Sequence, residues 1–261
     1  MNRLDKELVI RKLVPSRTKA TELISSGFVC VNGEIIKKTS QKVGKTDKID
    51  ILFNDLTKYV SRGGLKLEKA LKVFNITLKD KVVLDIGSST GGFTDVSLKN
   101  GAKKVIAVDV GTNLLHDSLR DNKKVVLFEN TDIRDLKSIY FREADIVVTD
   151  VSFISLSKII EKVAKENKSL DIVCLIKPQF EVGKDIARKY KGIILNSEIH
   201  KNLLVSMQEM FNSYGYFVVD LDYSPIKGGD GNIEYIAHLS SIIKNNKHIN
   251  YDKTVEKAFL L

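Results

Sequence analysis

Short apolar runs alternate with longer amphipathic stretches from about residue 80 to the end of the chain. The runs are KVVLDIG, KKVIAVDVG, KKVVLFEN, ADIVVTDVSF, DIVCLIKPQF, GYFVVDLDYSP and EYIAHLSSII. Runs of this length predict buried strands, and strands that alternate with helices predict a mostly parallel, doubly wound α/β sheet. Ligands of such a sheet bind at the carboxyl ends of the strands, so the residues that follow these runs are the first candidates for a site.

The first quarter of the chain has a different pattern. Apolar residues recur at helical spacing in two segments, at Leu4, Leu8, Val9 and Leu13 and at Ala20, Leu23 and Ile24. Ser16 can cap the second helix, and FVCVNGEII then predicts two short strands about an Asn32-Gly33 turn. These features predict a small α+β unit whose helices carry basic residues on their outer faces.

The charge of the chain is uneven. The 261 residues include 42 Lys and Arg against 33 Asp and Glu, a formal net charge of +9. Residues 1–60 hold 12 of the basic and 7 of the acidic side chains, so over half of the excess lies in under a quarter of the chain. This excess favours a polyanionic partner such as nucleic acid. A solvated two-helix cap without a ligand is the alternative interpretation of the same unit.

Composition also disfavours several classes of protein. Cys30 and Cys174 are far apart and have apolar neighbours, which predicts buried thiols and neither a disulfide nor a metal pair. No apolar run reaches the roughly 18 residues of a membrane span, and the N-terminal sequence lacks the apolar core of a secretory signal. The four histidines show no ligand spacing. We therefore expect a cytoplasmic protein that binds no metal.

The segment GSSTGG, at residues 87–92, follows the first apolar run and carries most of the chemical information. A dinucleotide fingerprint requires glycine at the third position, where Ser89 stands. A phosphate-binding P-loop requires lysine after its last glycine, where Phe93 stands. The segment is therefore neither a dinucleotide fingerprint nor a P-loop. Its glycines either belong to a different cofactor site or only form a tight turn between a strand and a helix.

The pattern Asp-x-Gly-x-x-x-Gly-Gly resembles the S-adenosylmethionine turn of Rossmann-like methyltransferases, where glycines let the backbone approach the cofactor. Two further acids follow the next apolar runs: Asp109, 22 residues beyond Gly87, and Asp132. The resemblance implies that Asp109 holds the ribose hydroxyls and that Asp132 lies near adenine, although Asp132 could instead cap a helix. The implied S-adenosyl-L-methionine site comprises Asp85, Gly87, Ser88, Ser89, Thr90, Gly91, Gly92, Phe93, Asp109, Val110, Thr131, Asp132 and Ile133.

The residues of the fourth and fifth runs limit which atom can accept the methyl group. The fourth ends in TDVSF, without the prolines of the motif that often serves base amino groups, and Cys174 lies inside a run, where a nucleophile for pyrimidine C5 is poorly placed. A ribose 2′-hydroxyl remains, and its attack is aided by a base. Four residues match, in order, the tetrad of FtsJ-like ribose 2′-O-methyltransferases: Lys66, Asp150, Lys177 and Glu234. A lysine serves as base only if its pKa falls, as a second ammonium and partial burial would cause.

The N-terminal unit resembles the S4 RNA-binding domain over about the first 50 residues, through Arg-Leu-Asp, Ser-Arg-x-x-Ala and Gly-x-Val-x-Val-Asn-Gly. That resemblance implies that its basic face contacts RNA phosphates, which position RNA but specify little sequence. The implied contacts are Arg3, Arg17, Lys19 and Lys38, with Arg62 in the linker that follows.

From residue 3 to about 240 the chain resembles the TlyA family. The shared motifs are YVSRGGLKL, DIGSSTGGFTD, AVDVG, TDVSFISL, KPQFEVGK and SPIKGGDGNIEY. The resemblance implies methyl transfer to the ribose 2′-hydroxyl of cytidine in 23S or 16S rRNA, or both, and makes ribosomal RNA or ribosomal subunits the expected partners. Many members of this family carry the historical label hemolysin.

We therefore expect a Rossmann-like methyltransferase domain with a mostly parallel doubly wound sheet, preceded by a small α+β S4 RNA-binding domain. The expected boundaries are an S4 domain at 1–55, a linker at 56–62, an FtsJ-like domain at 63–245 and a tail without motif at 246–261. Two alternatives belong to other classes. A pore-forming hemolysin requires a membrane segment, and a non-catalytic RNA-binding protein would have lost the cofactor acids or the tetrad.

Overall fold

A computed structural model describes residues 1–14, 16–25, 27–51, 58–152, 154–242 and 249–261. These residues form two compact units, Met1–Tyr59 and Val60–Leu261. The predicted linker at 56–62 lies partly outside the described residues.

The first unit combines two helices with short strands. Its elements are β1 (Asn2–Arg3), α1 (Leu4–Ile10), α2 (Arg17–Ser25), β2 (Val29–Val31), β3 (Glu34–Ile35), β4 (Lys42–Val43) and β5 (Ile49–Ile51). Strand β1 pairs with β4, and β2 lies between β3 and β5, with every pairing antiparallel. The apolar faces of both helices meet in a core that includes Leu4, Leu8, Ala20, Leu23 and Ile24.

Local signals in this unit act largely as predicted. Val31 pairs with Glu34 across the Asn32-Gly33 turn, and both turn residues have positive φ, as a two-residue hairpin requires. Ser16 Oγ accepts a hydrogen bond from Lys19 N at 3.2 Å, which confirms the predicted cap. The expectation for Leu13 is wrong, because α1 ends at Ile10 and Lys12 takes a left-handed φ of 56° that stops the helix.

The second unit contains a seven-stranded sheet with helices between most of its strands. The elements are α3 (Gly64–Val73), β6 (Val82–Ile86), α4 (Gly92–Lys99), β7 (Lys104–Val108), α5 (Asp117–Arg120), β8 (Val125–Phe128), a 3-10 turn (Ile133–Asp135), α6 (Ser138–Glu143), β9 (Ile146–Thr149), α7 (Leu156–Asn167), β10 (Asp171–Ile176), α8 (Pro178–Glu181), α9 (Lys184–Lys189), α10 (Ser197–Ser213), β11 (Phe217–Tyr223), β12 (Tyr235–Ser240) and α11 (Tyr251–Ala258). All seven predicted strands are present.

The strand order, β11-β12-β10-β9-β6-β7-β8, creates the place for a ligand. From β6 the chain crosses to β7 on one side, and β9 lies on the other side of β6. Such a reversal of strand order opens a crevice at the carboxyl ends of the central strands. Strand β12 alone runs antiparallel to both of its neighbours, so its amino end lies at the same edge of the sheet as those carboxyl ends.

The core of this unit covers both faces of the sheet. Leu84 and Val147 point to one face of the sheet and Val83 and Val148 to the other, and all four are fully buried, as expected for central strands of a parallel sheet. Helix α11, which lies in the predicted tail, packs into the same core through Val255 and Ala258. The 16 residues predicted as a tail therefore include part of the folded unit.

The two cysteines of the chain lie far apart in its sequence, one in each of its two units. The thiols of Cys30 and Cys174 are buried and unpaired, as predicted, and burial raises the pKa of Cys174. Among the described residues no group of three or more His, Cys, Asp or Glu side chains is arranged to hold a metal ion. Within the same ranges, no helix has the length and apolar character to cross a membrane.

Candidate active site

The glycine turn after β6 is shaped by close approaches of the backbone. Gly87 has a φ of 80°, and a Cβ there would lie 2.8 Å from Val151 Cγ1 and 3.3 Å from the Asp150 carbonyl oxygen. A Cβ on Gly92 would collide with Ser61 Oγ and would lie 2.9 Å from Gly64 N. Any larger residue at these two positions would push the turn away from the segments around Asp150 and Ser61.

A cavity of about 840 Å³ opens above this turn, within the range of roughly 300–1,000 Å³ typical of small-molecule sites. It is lined by predicted cofactor residues from three strand ends: Gly87, Ser88, Ser89, Thr90, Gly92, Phe93, Asp109, Val110, Thr131, Asp132 and Ile133. Other lining residues were not predicted, among them the apolar Ile86, Leu114, Ile154 and Ile159. Asp150 also reaches the cavity, which therefore extends to the predicted catalytic group.

Two predicted cofactor residues, Asp85 and Gly91, are not among those that line the cavity. Asp85 is fully buried, and its Oδ2 accepts a hydrogen bond from Thr94 Oγ1 at 2.6 Å. Burial raises the pKa of Asp85 to about 7, although the Thr94 hydroxyl acts in the opposite direction. Asp85 thus joins β6 to α4 below the turn, and a Cβ on Gly91 would meet the side chain of Leu115 at 2.8 Å.

Asp109 directly follows β7 and joins two backbone segments. Its Oδ2 accepts from Ser89 N at 2.7 Å and its Oδ1 accepts from Gly111 N at 2.7 Å. A carboxylate has about four acceptor positions, so two such bonds leave capacity for the hydroxyl groups of a ligand. The residue therefore both orders the glycine turn and presents negative charge to the cavity.

Asp132 has the capping role that the sequence left open. Its Oδ1 accepts from Arg134 N at 2.9 Å at the start of the 3-10 turn, and its Oδ2 lies 2.6 Å from the Arg134 guanidinium. The hydrogen bonds from Arg134 lower the pKa of Asp132. Because Asp132 and Arg134 both line the cavity, the cap also belongs to its wall.

The four residues of the predicted tetrad meet in one chain of ion pairs. Glu234 Oε2 lies 2.6 Å from Lys66 Nζ, which lies 3.1 Å from Asp150 Oδ2. Asp150 Oδ1 lies 2.6 Å from Lys177 Nζ. Asp150 and Lys177 follow β9 and β10, as predicted, whereas Lys66 lies in the first turn of α3. Glu234 reaches the group because it precedes the antiparallel strand β12.

Burial and neighbouring charges shift the pKa values of Lys66 and Asp150 within this series of ion pairs. Burial lowers the pKa of Lys66, but Asp150 and Glu234 outweigh burial and raise it above the ordinary value. Burial alone would raise the pKa of Asp150. The Lys66 and Lys177 ammonium groups have the larger effect, so the pKa lies below its ordinary value. Lys66 therefore remains charged and does not meet the requirement for a base. Lys177 contacts one carboxylate and also donates to Ser152 Oγ at 3.0 Å.

Two polar side chains near the tetrad, the half-buried Glu181 and the buried Asn232, were missed from the sequence. Glu181 accepts from Ser155 Oγ and from Leu156 N, both at 2.8 Å, and so joins the helix after Lys177 to the start of α7. Asn232, which is 1% exposed, accepts from Ile194 N at 2.9 Å and donates to the Gly192 carbonyl at 2.8 Å. Both lie inside quoted motifs, KPQFEVGK and GGDGNIEY, but nothing in the sequence names their partners.

Two of the four predicted RNA contacts of the first unit share one acid. Arg3 and Arg17 lie 3.0 and 2.7 Å from the carboxylate of Asp5, and the hydrogen bond from Arg3 is the main cause that lowers the pKa of Asp5 to about 2. Lys38 is exposed and Lys19 is half-buried. Arg62, in the second unit, is exposed just before α3.

The sheet order, the glycine turn and the cavity at the carboxyl edge define the second unit as a Rossmann-like methyltransferase fold. The family model of FtsJ-like methyltransferases matches residues 59–241, and the S4 domain model matches residues 2–49. The chain belongs to the TlyA family, in which an S4 domain precedes an FtsJ-like methyltransferase. The predicted fold class and family are thereby confirmed.

Three known proteins illustrate the similarity. The chain is 40% identical over 254 residues to the 23S rRNA (cytidine-2′-O)-methyltransferase TlyA of Campylobacter jejuni, covering 91% of this chain and 98% of the relative. It is 38% identical over 240 residues to the 16S/23S rRNA (cytidine-2′-O)-methyltransferase TlyA of Mycobacterium tuberculosis, covering 91% and 89%. A solved structure described as a "putative hemolysin" from Streptococcus thermophilus superposes with a TM-score of 0.76 at 40% identity, covering 98% and 94%.

Proposed function

We propose that the protein transfers the methyl group of S-adenosyl-L-methionine to a ribose 2′-hydroxyl of cytidine in ribosomal RNA. The observation that carries this proposal is the chain of contacts Glu234–Lys66–Asp150–Lys177 beside a cavity that Asp150 itself lines. The activity of the relatives from Campylobacter jejuni and Mycobacterium tuberculosis supports the choice of cytidine and of 23S or 16S rRNA.

The lining of the cavity supports S-adenosyl-L-methionine as its ligand. The glycine turn leaves room that a Cβ would fill, and Asp109 has spare acceptor capacity for ribose hydroxyls. Ile86, Ile154 and Ile159 give the walls the apolar character that a purine ring requires. When bound, this cofactor supplies an electrophilic methyl group.

Within the tetrad, we assign Lys177 as the proton acceptor. Once its ammonium group has released one proton to solvent, the Lys177 amine would accept the proton of the 2′-hydroxyl, and the oxygen would take the methyl group as its bond to the cofactor sulfur breaks. Asp150 orients Lys177 and stabilises the ammonium that results. Lys66 stays charged and holds Asp150 in place, while Glu234 balances the charge of Lys66.

The decisive variant is Lys177→Ala. Proton transfer by a positioned group contributes about 10²–10⁴-fold, so we expect a loss of methyl transfer to ribosomal RNA within that range. Lys177→Arg is the matched control, because it keeps the positive charge but cannot give up its proton. Both variants should bind the cofactor, since Lys177 is not among the residues lining the cavity. Undiminished turnover in Lys177→Ala would refute the assignment.

Calorimetric titration with S-adenosyl-L-methionine separates this proposal from a non-catalytic RNA-binding role. Micromolar or tighter binding supports the enzyme, and no binding in the presence of ribosomal RNA overturns it. Mapping 2′-O-methyl positions in ribosomal RNA with and without the gene then identifies the target nucleotide. A ribosomal RNA substrate would place the protein in the cytoplasm, with RNA or a ribosomal subunit as its partner.

A further inference from the structure

An exposed basic strip follows Lys177 in the chain, beyond helix α8. We define it as Arg188, Lys189 and Lys191, at the end of α9 and just beyond it. All three side chains are exposed, and none forms an ion pair with a carboxylate of the ranges that the structure describes. Three adjacent cations without such compensation produce a local positive potential.

The chain before the strip is tied to the tetrad through Lys177. Helix α8 begins at Pro178, directly after that lysine, and its last residue, Glu181, accepts hydrogen bonds from Ser155 Oγ and Leu156 N. The segment that leads into α9 is therefore fixed against α7, the helix that follows the Asp150 loop. The chain that leads to the strip is thus anchored at Glu181, one short helix after Lys177.

The chain after the strip is tied to the tetrad through Asn232. The Asn232 amide donates to the Gly192 carbonyl and accepts from Ile194 N, both just beyond the strip. Asn232 itself lies two residues before Glu234. His200 strengthens this connection, because its Nε2 donates to the Ile194 carbonyl at 2.9 Å while its Nδ1 accepts from the Tyr235 hydroxyl at 2.7 Å. Burial lowers the pKa of His200, which keeps the ring neutral in this network.

We propose that the basic strip binds the phosphate groups of the RNA strand next to the target nucleotide. The strip has the opposite charge to that strand, and the segment that carries it is anchored on both sides to chain next to tetrad residues, through Glu181 after Lys177 and through Asn232 before Glu234. Exposed Lys and Arg bind phosphates without reading sequence, so the strip positions the nucleotide and does not select it. This inference rests on the proposed function and adds a contact surface outside the S4 domain.

The test compares two paired charge reversals in the full-length protein. Arg188→Glu with Lys189→Glu removes two cations of the strip. Lys123→Glu with Lys124→Glu is the matched control, because both residues are exposed. They precede β8, the outermost strand on the side of the sheet away from β10 and β12. Methyl transfer to protein-free ribosomal RNA is measured at several salt concentrations, and cofactor affinity is measured by calorimetry.

We expect the strip variant to raise the KM for RNA about tenfold or more at low salt and to reduce the slope of log KM against log salt by about 2, one for each lost phosphate contact. The kcat at saturating RNA and the cofactor Kd should stay within about twofold, because neither residue lines the cavity. The control variant should raise KM less than about threefold.

Equal KM values for the strip and control variants would overturn the inference and would indicate only a general effect of net charge. A lowered kcat with unchanged KM would also overturn it, because the strip would then act on the tetrad and not on RNA. A wild-type protein that binds the cofactor but transfers no methyl group to RNA would instead contradict the proposed function. The two failures are therefore distinguishable.

Discussion

At the scale of single residues, Asp150 is the side chain on which the candidate site depends most. It is the one member of the tetrad that contacts both lysines and also lines the cavity. Two ammonium groups and one carboxylate lie within one buried cluster, and Glu234 supplies the second negative charge. The cluster is electrically balanced only while both acids are ionised.

Asp150→Asn should therefore lower stability and abolish methyl transfer. Removing one partner of a buried ion pair costs about 3–5 kcal/mol, because the remaining charges lose their compensation. Chemical denaturation of the full chain measures the change in the free energy of unfolding. Glu143→Gln is a suitable comparison, since its exposed pair with Lys104 should contribute less than about 1 kcal/mol. Equal effects of the two substitutions would contradict this account of the cluster.

Asp85 gives a prediction for pH dependence. Its pKa is about 7 in the folded protein and has an ordinary value of 3.8. Between these values the folded protein keeps the proton and the unfolded chain releases it, so stability falls as pH rises through this window. Asp85→Asn cannot ionise, and its thermal midpoint relative to wild type should rise from pH 4.5 to pH 8. A difference that does not change with pH would contradict the raised pKa.

A second substitution tests the cause of that shift. The Thr94 hydroxyl donates to Asp85 and favours its ionised form. Thr94→Val removes this donor while keeping the shape of the side chain, so it should move the loss of stability to higher pH. The measurement is the same series of thermal midpoints.

At the scale of elements, helix ends do much of the positioning. Two oxygen acceptors cap the N-terminus of α7. Ser155 Oγ accepts from Ser157 N at 3.3 Å, and Glu181 accepts from Leu156 N. The negative charge of Glu181 also lies at the positive end of the α7 dipole. Ile159, which lines the cavity, is on this helix, so the cap contributes to the shape of the cavity.

Glu181→Ala should lower the free energy of unfolding by about 1–2 kcal/mol, as the loss of a helix cap does. Glu181→Gln should lose much less, because its amide oxygen still accepts from Leu156 N and its amide nitrogen can donate to Ser155 Oγ. The Ala variant should also weaken cofactor binding more than the Gln variant. Denaturation and calorimetric titration check the two effects, and identical behaviour of both variants would exclude the capping role.

Element by element, the sequence predicts strands better than it predicts the contacts between them. Each of the seven strands is an apolar run, and burial on both faces makes that signal strong. The position of Glu234 depends on the sheet order and on the reversed direction of β12, which no local pattern encodes. Asp85 follows the motif of a cofactor residue, yet its orientation toward Thr94 depends on the packing of α4.

At the scale of the whole molecule, charge is the property that the sequence predicts most directly. The excess of 12 basic over 7 acidic residues in positions 1–60 needs no knowledge of the fold, but the pairing of Arg3 and Arg17 with Asp5 does. The burial of α11 is also a property of the whole molecule. Its Val255 and Ala258 are too few to identify a buried helix from the sequence alone.

The distribution of charge predicts a contrast between the two ligands. RNA affinity should fall steeply as salt is raised from about 50 to 200 mM, because lysine and arginine contacts to phosphates release bound counterions. Cofactor affinity should change little over the same range, since the proposed cofactor site consists of the glycine turn and Asp109 and involves no phosphate contact. Filter binding for RNA and calorimetry for the cofactor measure the two responses. A flat RNA response would contradict phosphate binding by the S4 domain.

The antiparallel direction of β12 has a consequence for the timing of activity during synthesis. Lys66 lies in the first helix of the catalytic unit, and its closest carboxylate, Glu234, precedes the last strand of the sheet. A nascent chain that has not yet emerged past residue 234 contains the glycine turn, Asp150 and both lysines, but it lacks the acid that balances Lys66. The complete proposed tetrad is therefore assembled only after residue 234 has left the ribosome that makes the chain.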